Sequence, residues 1–123
     1  MFRILFLSLI LIGLVAAVRA EKVNPIPSPT SPILDVIGKS SDKDLVARFE
    51  ALKIELSEDR AVEGYIINYG TKSEILKRER QIRKALAFHK IDPKRVVILS
   101  GGKRDHLETI IYVIPSSSEP PTP

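Results

Sequence analysis

The sequence predicts one small α+β domain, in which two helices pack on one face of a mixed sheet, in the order β-α-β-α-β-β. Two stretches repeat apolar residues at helical spacing, and four short runs are rich in β-branched or apolar residues. Each helical stretch has a single apolar stripe, so both helices need cover from the same side of a sheet. The predicted domain spans residues 33–115, a size at which one small core forms.

Both helices have recognisable starts. Ser40 or Ser41 can cap the first helix, since a serine hydroxyl accepts from the free N–H groups of the first turn. The apolar stripe of this helix is Leu45, Phe49, Leu52 and Leu56. The second helix is predicted over residues 71–89, and an Ile-Asp-Pro sequence ends it. Its predicted buried side is Ile75, Ile82, Ala85 and Leu86.

The strands are predicted at residues 33–37, 62–69, 95–100 and 107–114. Between the last two, residues 101–106 read G-G-K-R-D-H. A phosphate-binding loop needs a preceding strand, a following helix and further glycine spacing, which this sequence lacks. A flexible loop between two strands is the better interpretation.

The two ends of the chain differ from its middle. Residues 1–20 combine a basic start, an apolar run and small or medium residues before Glu21, which predicts a cleavable export signal; an uncleaved anchor is the alternative. Residues 21–32 read as a proline-rich linker, and residues 116–123 as a disordered tail rich in proline and serine. The mature chain is therefore expected to be periplasmic or extracellular, with no stable membrane span after cleavage.

Composition excludes several kinds of chemistry. The chain has no cysteine, so disulfides, thiolate zinc sites, a cysteine nucleophile and a lipidated cysteine are ruled out. The net charge of +4 includes Arg3 and Arg19 of the signal, and the remainder is too small to predict binding to nucleic acid. His89 and His106 lack neighbouring ligands, so neither a metal nor a cofactor is expected. No nucleophile motif is visible, and the chain is predicted not to be an enzyme; a small hydrolase is the alternative.

Two motifs carry a resemblance to a known family. The run G-Y-I-I-N-Y-G at residues 64–70, a charged helix, and K-I-D-P-K-R-V at residues 90–96 together resemble the OmpA-like C-terminal domain. The resemblance covers residues 33–113 and implies a periplasmic module that binds peptidoglycan without cleaving it. Family members use an aspartate after the second strand and an arginine in the next helix to hold the zwitterionic end of diaminopimelate.

The resemblance places this arginine on Arg78, while the position of the aspartate falls at about Lys72, which has the opposite charge. It implies the candidate ligand-binding residues Asn68, Thr71, Lys72 and Arg78, with half of the clamp missing. The residues alone place Arg78 at the edge of the apolar stripe of the second helix. This position allows two interpretations: Arg78 binds an anion, or it is an ordinary surface charge whose stem covers apolar surface. Glu74 has the spacing of a helical ion pair with it.

Two other surfaces have a functional and an ordinary interpretation. The second helix is rich in basic residues, which form either a binding surface for an anionic polymer or an ordinary solvent-exposed face. These residues are Lys72, Lys77, Arg78, Arg80, Arg83 and Lys84. Alternation along the strands puts Tyr65, Tyr69 and Tyr112 on the sheet face away from the helices. One interpretation is a docking face for a glycan or an envelope protein. The other is a structural role, in which the tyrosines pair across strands or are covered by the tails.

Overall fold

The computed structural model describes residues 32–123 and confirms the predicted α+β fold with its β-α-β-α-β-β order. The signal predicted for residues 1–20 and all but the last residue of the linker predicted for residues 21–32 lie outside the described residues. Among the residues described, no helix is both long and apolar enough to cross a membrane.

The first helix, α1, spans Asp42–Glu58, and the second, α2, spans Lys72–Phe88. Ser41 caps α1 by accepting from the backbone N–H of Asp44. Thr71 caps α2 in a capping box, in which the Glu74 side chain accepts from the Thr71 backbone N–H and Thr71 Oγ1 accepts from Glu74 N–H. The predicted stripes of both helices are buried.

Within residues 32–123, four strands form one sheet in the order β1-β4-β2-β3. Their bounds are Ile33–Ile37 for β1, Val62–Tyr69 for β2, Val96–Gly102 for β3 and Glu108–Pro115 for β4. The pair β2–β3, joined through α2, is parallel, whereas β4 is antiparallel to both β1 and β2. One core of leucine, isoleucine and phenylalanine side chains fills the space between this sheet and the helices.

The prediction of a loop at Gly101 and Gly102 is wrong, because both residues belong to β3. Their composition predicted flexibility, but the packing of Tyr69 requires a glycine here. A Cβ added to Gly101 would lie 2.2 Å from Cε1 of the Tyr69 ring. Gly102 has a φ of 106°, which glycine adopts far more easily than other residues. The absence of a side chain therefore lets the strand continue beneath an aromatic ring.

The C-terminal residues begin in a turn that is hydrogen-bonded to the domain. Ser116 N–H donates to the carbonyl of Ala61, and Ser118 N–H donates to the carbonyl of Pro115. The predicted disorder of residues 116–123 stays a prediction.

Candidate functional site

The guanidinium of Arg78 is buried between α2 and the sheet. Only 1% of the residue is exposed, although sequence spacing placed it at the edge of the helix stripe. Its Nη2 donates to the carbonyl of Gly38 at 2.6 Å, and its Nη1 donates to Oγ1 of Thr109 at 2.8 Å. Its Nε donates to Oε1 of Gln81 at 3.1 Å. The interpretation of Arg78 as an ordinary surface charge is therefore wrong.

A hydrogen-bonded chain continues from Arg78 into the sheet. The Thr109 hydroxyl donates to Oδ1 of Asn68 at 2.7 Å, and both residues are fully buried. Thr109 and Asn68 are also cross-strand partners on β4 and β2. The amide nitrogen of Asn68 has no hydrogen-bond partner among the described residues. The network is therefore incompletely satisfied, and an unsatisfied buried donor of this kind costs about 1–3 kcal/mol.

No carboxylate forms an ion pair with Arg78 among the residues that the structure describes. The predicted partner Glu74 is held by Thr71, and the nearest link to an acid runs through Gln81, whose Nε2 donates to Oδ1 of Asp42 at 2.7 Å. Burial lowers the pKa of Arg78, and the positive charge of Arg48 lowers it further. A buried guanidinium stays charged, so this site carries an uncompensated positive charge.

Arg78 lines a cleft of about 510 Å³ beside the start of α1, which we call the Arg78 cleft. Its other lining residues are Lys39, Ser40, Ser41, Glu74, Lys77, Gln81 and Leu107. Lys39 and Lys77 are exposed and add two positive charges, against the single carboxylate of Glu74. The positive charges of Lys39 and Lys77 attract an anion to the cleft. Because both lysines are exposed, added salt weakens this attraction.

The structure does not bring all four candidate ligand-binding residues together. Asn68 belongs to the Arg78 network but is fully buried and does not line the cleft. Thr71 and Lys72 line a different cleft, between the start of α2 and the end of β3. Lys72 and Arg78 therefore do not form the two halves of one clamp in this fold.

Other residues of the Arg78 site could not be selected from the sequence. Gln81 lies three positions after Arg78 on the same helix, a spacing that allows contact. Gly38 and Lys39 reach the site from the loop after β1, and Thr109 reaches it from β4; their local sequence gives no signal of this. Only the strand order brings these three positions to one helix.

The proposed tyrosine face is smaller than the sequence predicted. Tyr65 and Tyr112 are cross-strand partners and are half-buried. Tyr69, however, is only 6% exposed, because it packs on Gly101 and the Arg104 guanidinium lies 3.5 Å from its ring centroid. Tyr69 is therefore not available as a docking side chain, and two tyrosines remain.

Residues 32–123 contain no cluster of three or more histidine, aspartate or glutamate side chains that could bind a metal ion. His89 instead contacts the carbonyl of Val46 at 2.6 Å and links the end of α2 to α1.

Comparisons with protein-family models, curated proteins and solved structures found no match. The resemblance to the OmpA-like domain therefore stays a prediction.

Proposed function

We propose that this chain is an exported, non-catalytic module of the cell envelope that binds carboxylate groups of peptidoglycan in the Arg78 cleft. The observation that carries this proposal is the buried guanidinium of Arg78, which has no carboxylate partner among the described residues. The resemblance to OmpA-like domains agrees with it, since Arg78 is the position that the family uses to hold a carboxylate.

The guanidinium retains capacity for a ligand. It has five N–H groups, and the three hydrogen bonds to Gly38, Thr109 and Gln81 use three of them. The network fixes the plane of the guanidinium, so a carboxylate in the cleft meets an oriented donor pair. Lys39 and Lys77 at the cleft rim attract the anion before it reaches this buried donor.

Binding through this cleft is expected to be weaker than binding through a complete zwitterion clamp. Lys72 replaces the family's acidic residue and lies in another cleft. The Glu74 carboxylate lines the Arg78 cleft but already accepts the Thr71 N–H. The site therefore recognises the carboxylate of the ligand and offers its ammonium group little. Affinity is expected to fall as ionic strength rises, because the rim lysines are exposed.

Co-sedimentation with purified peptidoglycan sacculi tests this proposal. Lys77→Glu reverses a charge at the cleft rim, so binding should fall several-fold, since one exposed charge pair is worth about 0.2–1 kcal/mol and reversal turns attraction into repulsion. Lys84→Glu is the matched control, because Lys84 is equally an exposed lysine of α2 but does not line the cleft.

Arg78→Gln provides the second variant, with its fold checked by circular dichroism. Loss of sacculus binding in Arg78→Gln and Lys77→Glu, with binding retained in Lys84→Glu, would support the proposal. Equal binding by all four proteins, or no binding by the unsubstituted protein at low salt, would contradict it. Turnover of a cell-wall or ester substrate by the purified protein would contradict its non-catalytic part.

A second candidate function is a protein–protein adaptor of the envelope that docks through the Tyr65–Tyr112 pair. The observation that favours it is the apolar surface beside this pair: Ile33 is the cross-strand partner of Tyr112, and Ile33 and Val36 are 43% and 47% exposed. Replacing Tyr112 by a photo-crosslinking amino acid in cells tests it. A discrete crosslinked protein that Val36→Glu abolishes would support the adaptor, and crosslinks to peptidoglycan alone would refute it.

A further inference from the structure

The strand β3 lies at one edge of the sheet. It pairs with β2 on one side, and no described strand pairs with its other side. Alternate residues of a strand direct their backbone N–H and C=O groups to opposite neighbours. The outer side of β3 therefore presents a row of donors and acceptors that another strand could pair with.

Between Val96 and Ser100, this edge lacks the features that usually prevent pairing. Natural edge strands are shortened, or carry charged residues or proline. From Val96 to Ser100 the sequence is V-V-I-L-S, five residues that pair with β2 in regular register and include neither a charge nor a proline. The register shifts only after Ser100, at Gly101 and Gly102. The four apolar side chains are only half-buried, on both faces of the strand.

A groove runs beside this edge, between β3 and α2. It consists of two successive clefts of about 420 and 600 Å³, and alternate β3 residues line them: Val96 and Ile98 the first, Ser100 and Gly102 the second. The helix side of the groove contributes Lys72, Ile75, Leu76, Glu79, Arg83, Leu86 and Ala87. An added strand would direct every second side chain into this groove.

The charges of the groove select the occupant. Arg83, Lys72 and Lys103 line it, and Glu79 is the only acidic side chain among its lining residues. Arg83 belongs to the first cleft and the two lysines to the second, so both ends of the groove are basic. A segment with apolar residues at alternate positions and acidic residues toward its ends matches this pattern.

A second copy of this chain fits the edge poorly. The strand β3 has no acidic residue, and the residues that flank it, Arg95 and Lys103, are basic. A second β3 strand would therefore bring no negative charge to Arg83, Lys72 and Lys103, which line the groove.

We infer that β3 and the β3–α2 groove bind an extended segment of another protein by strand addition, with alternate apolar side chains in the groove and acidic residues near its ends. The backbone of β3 supplies the hydrogen bonds, and the groove supplies the selection among sequences. The groove and the Arg78 cleft share no lining residue. Peptide binding and peptidoglycan binding can therefore be lost separately.

Selection of peptides from a random linear display library on the purified protein tests this inference. Enriched peptides should alternate apolar residues and carry acidic residues at their ends. Leu76→Glu should lower the affinity of an enriched, synthesised peptide about tenfold, since Leu76 lines the groove and the change replaces an apolar contact by a negative charge. Ile54→Glu is the matched control, because Leu76 and Ile54 are both helical and 48% exposed, and Ile54 lies outside the groove.

Amide hydrogen exchange gives a readout that does not depend on any substitution. Bound peptide should slow exchange at β3 and leave β1, the opposite edge, unchanged. Equal affinity of the Leu76→Glu and Ile54→Glu proteins, protection at the Tyr65–Tyr112 face instead of β3, or no enriched peptide would overturn the inference. A concentration-dependent homodimer with protected β3 amides would also overturn it, by showing that the occupant is a second copy.

Discussion

Thr109→Val tests the buried network around Arg78 most directly. Valine has the shape of threonine and an equally high preference for strands, so the change removes the hydroxyl and little else. The Thr109 hydroxyl accepts from Nη1 of Arg78 at 2.8 Å and donates to Oδ1 of Asn68 at 2.7 Å. A hydrogen bond from a charged donor is worth about 1.5–3 kcal/mol, and a buried acceptor left unpaired costs about 1–3 kcal/mol.

The free energy of unfolding should therefore fall by about 3–5 kcal/mol, a large share of the roughly 5–15 kcal/mol typical of a small domain. Urea unfolding followed by circular dichroism measures this change. Thr109→Ser is the control, because it keeps the hydroxyl and loses one methyl group, at about 1 kcal/mol. If Thr109→Val were no less stable than Thr109→Ser, the hydroxyl would not hold Arg78, and the view of the cleft as a preorganised donor site would be refuted.

Three further changes test other parts of the fold. The guanidinium of Arg95 donates to three backbone carbonyls, at the end of α1 and the start of β2, so Arg95→Met should lower the free energy of unfolding by about 2 kcal/mol in urea. Stability equal to that of the unsubstituted protein would show that water replaces these bonds freely. Gly101→Val should displace the Tyr69 ring, because even a Cβ would lie 2.2 Å from it, and an unchanged Tyr69 environment in NMR spectra would contradict this packing. Hydrogen bonds from Thr71 lower the pKa of Glu74 below its ordinary value, so the capping box contributes most above that ordinary pKa and less as the pH falls toward the lowered one. Urea unfolding across this acidic range should show a smaller loss of stability for Glu74→Gln, and parallel pH profiles would contradict the assignment.

Periodicity located both helices, because their stripes are local. Leu45, Phe49, Leu52 and Leu56 are buried together, as their spacing requires. The second helix begins one residue later and ends one residue earlier than predicted, since its predicted first and last residues are the caps Thr71 and His89. The same local signals misplaced the end of β3, where a glycine pair that resembles a loop accommodates the Tyr69 ring.

The sequence alone determined the α+β class and the element order, and the resemblance to OmpA-like domains drew attention to Arg78. Only the tertiary structure decided what surrounds that cation. Helix periodicity places Arg78 at the margin of a stripe, but its burial depends on Gly38 and Thr109, which lie 40 and 31 positions away in the chain. The order β1-β4-β2-β3 sets these contacts. The separation of Lys72 from Arg78 is local by contrast, because six residues along one helix place the two side chains about 120° apart, in different clefts. Strand order is fixed by packing across the whole sheet, which no local pattern of residues encodes.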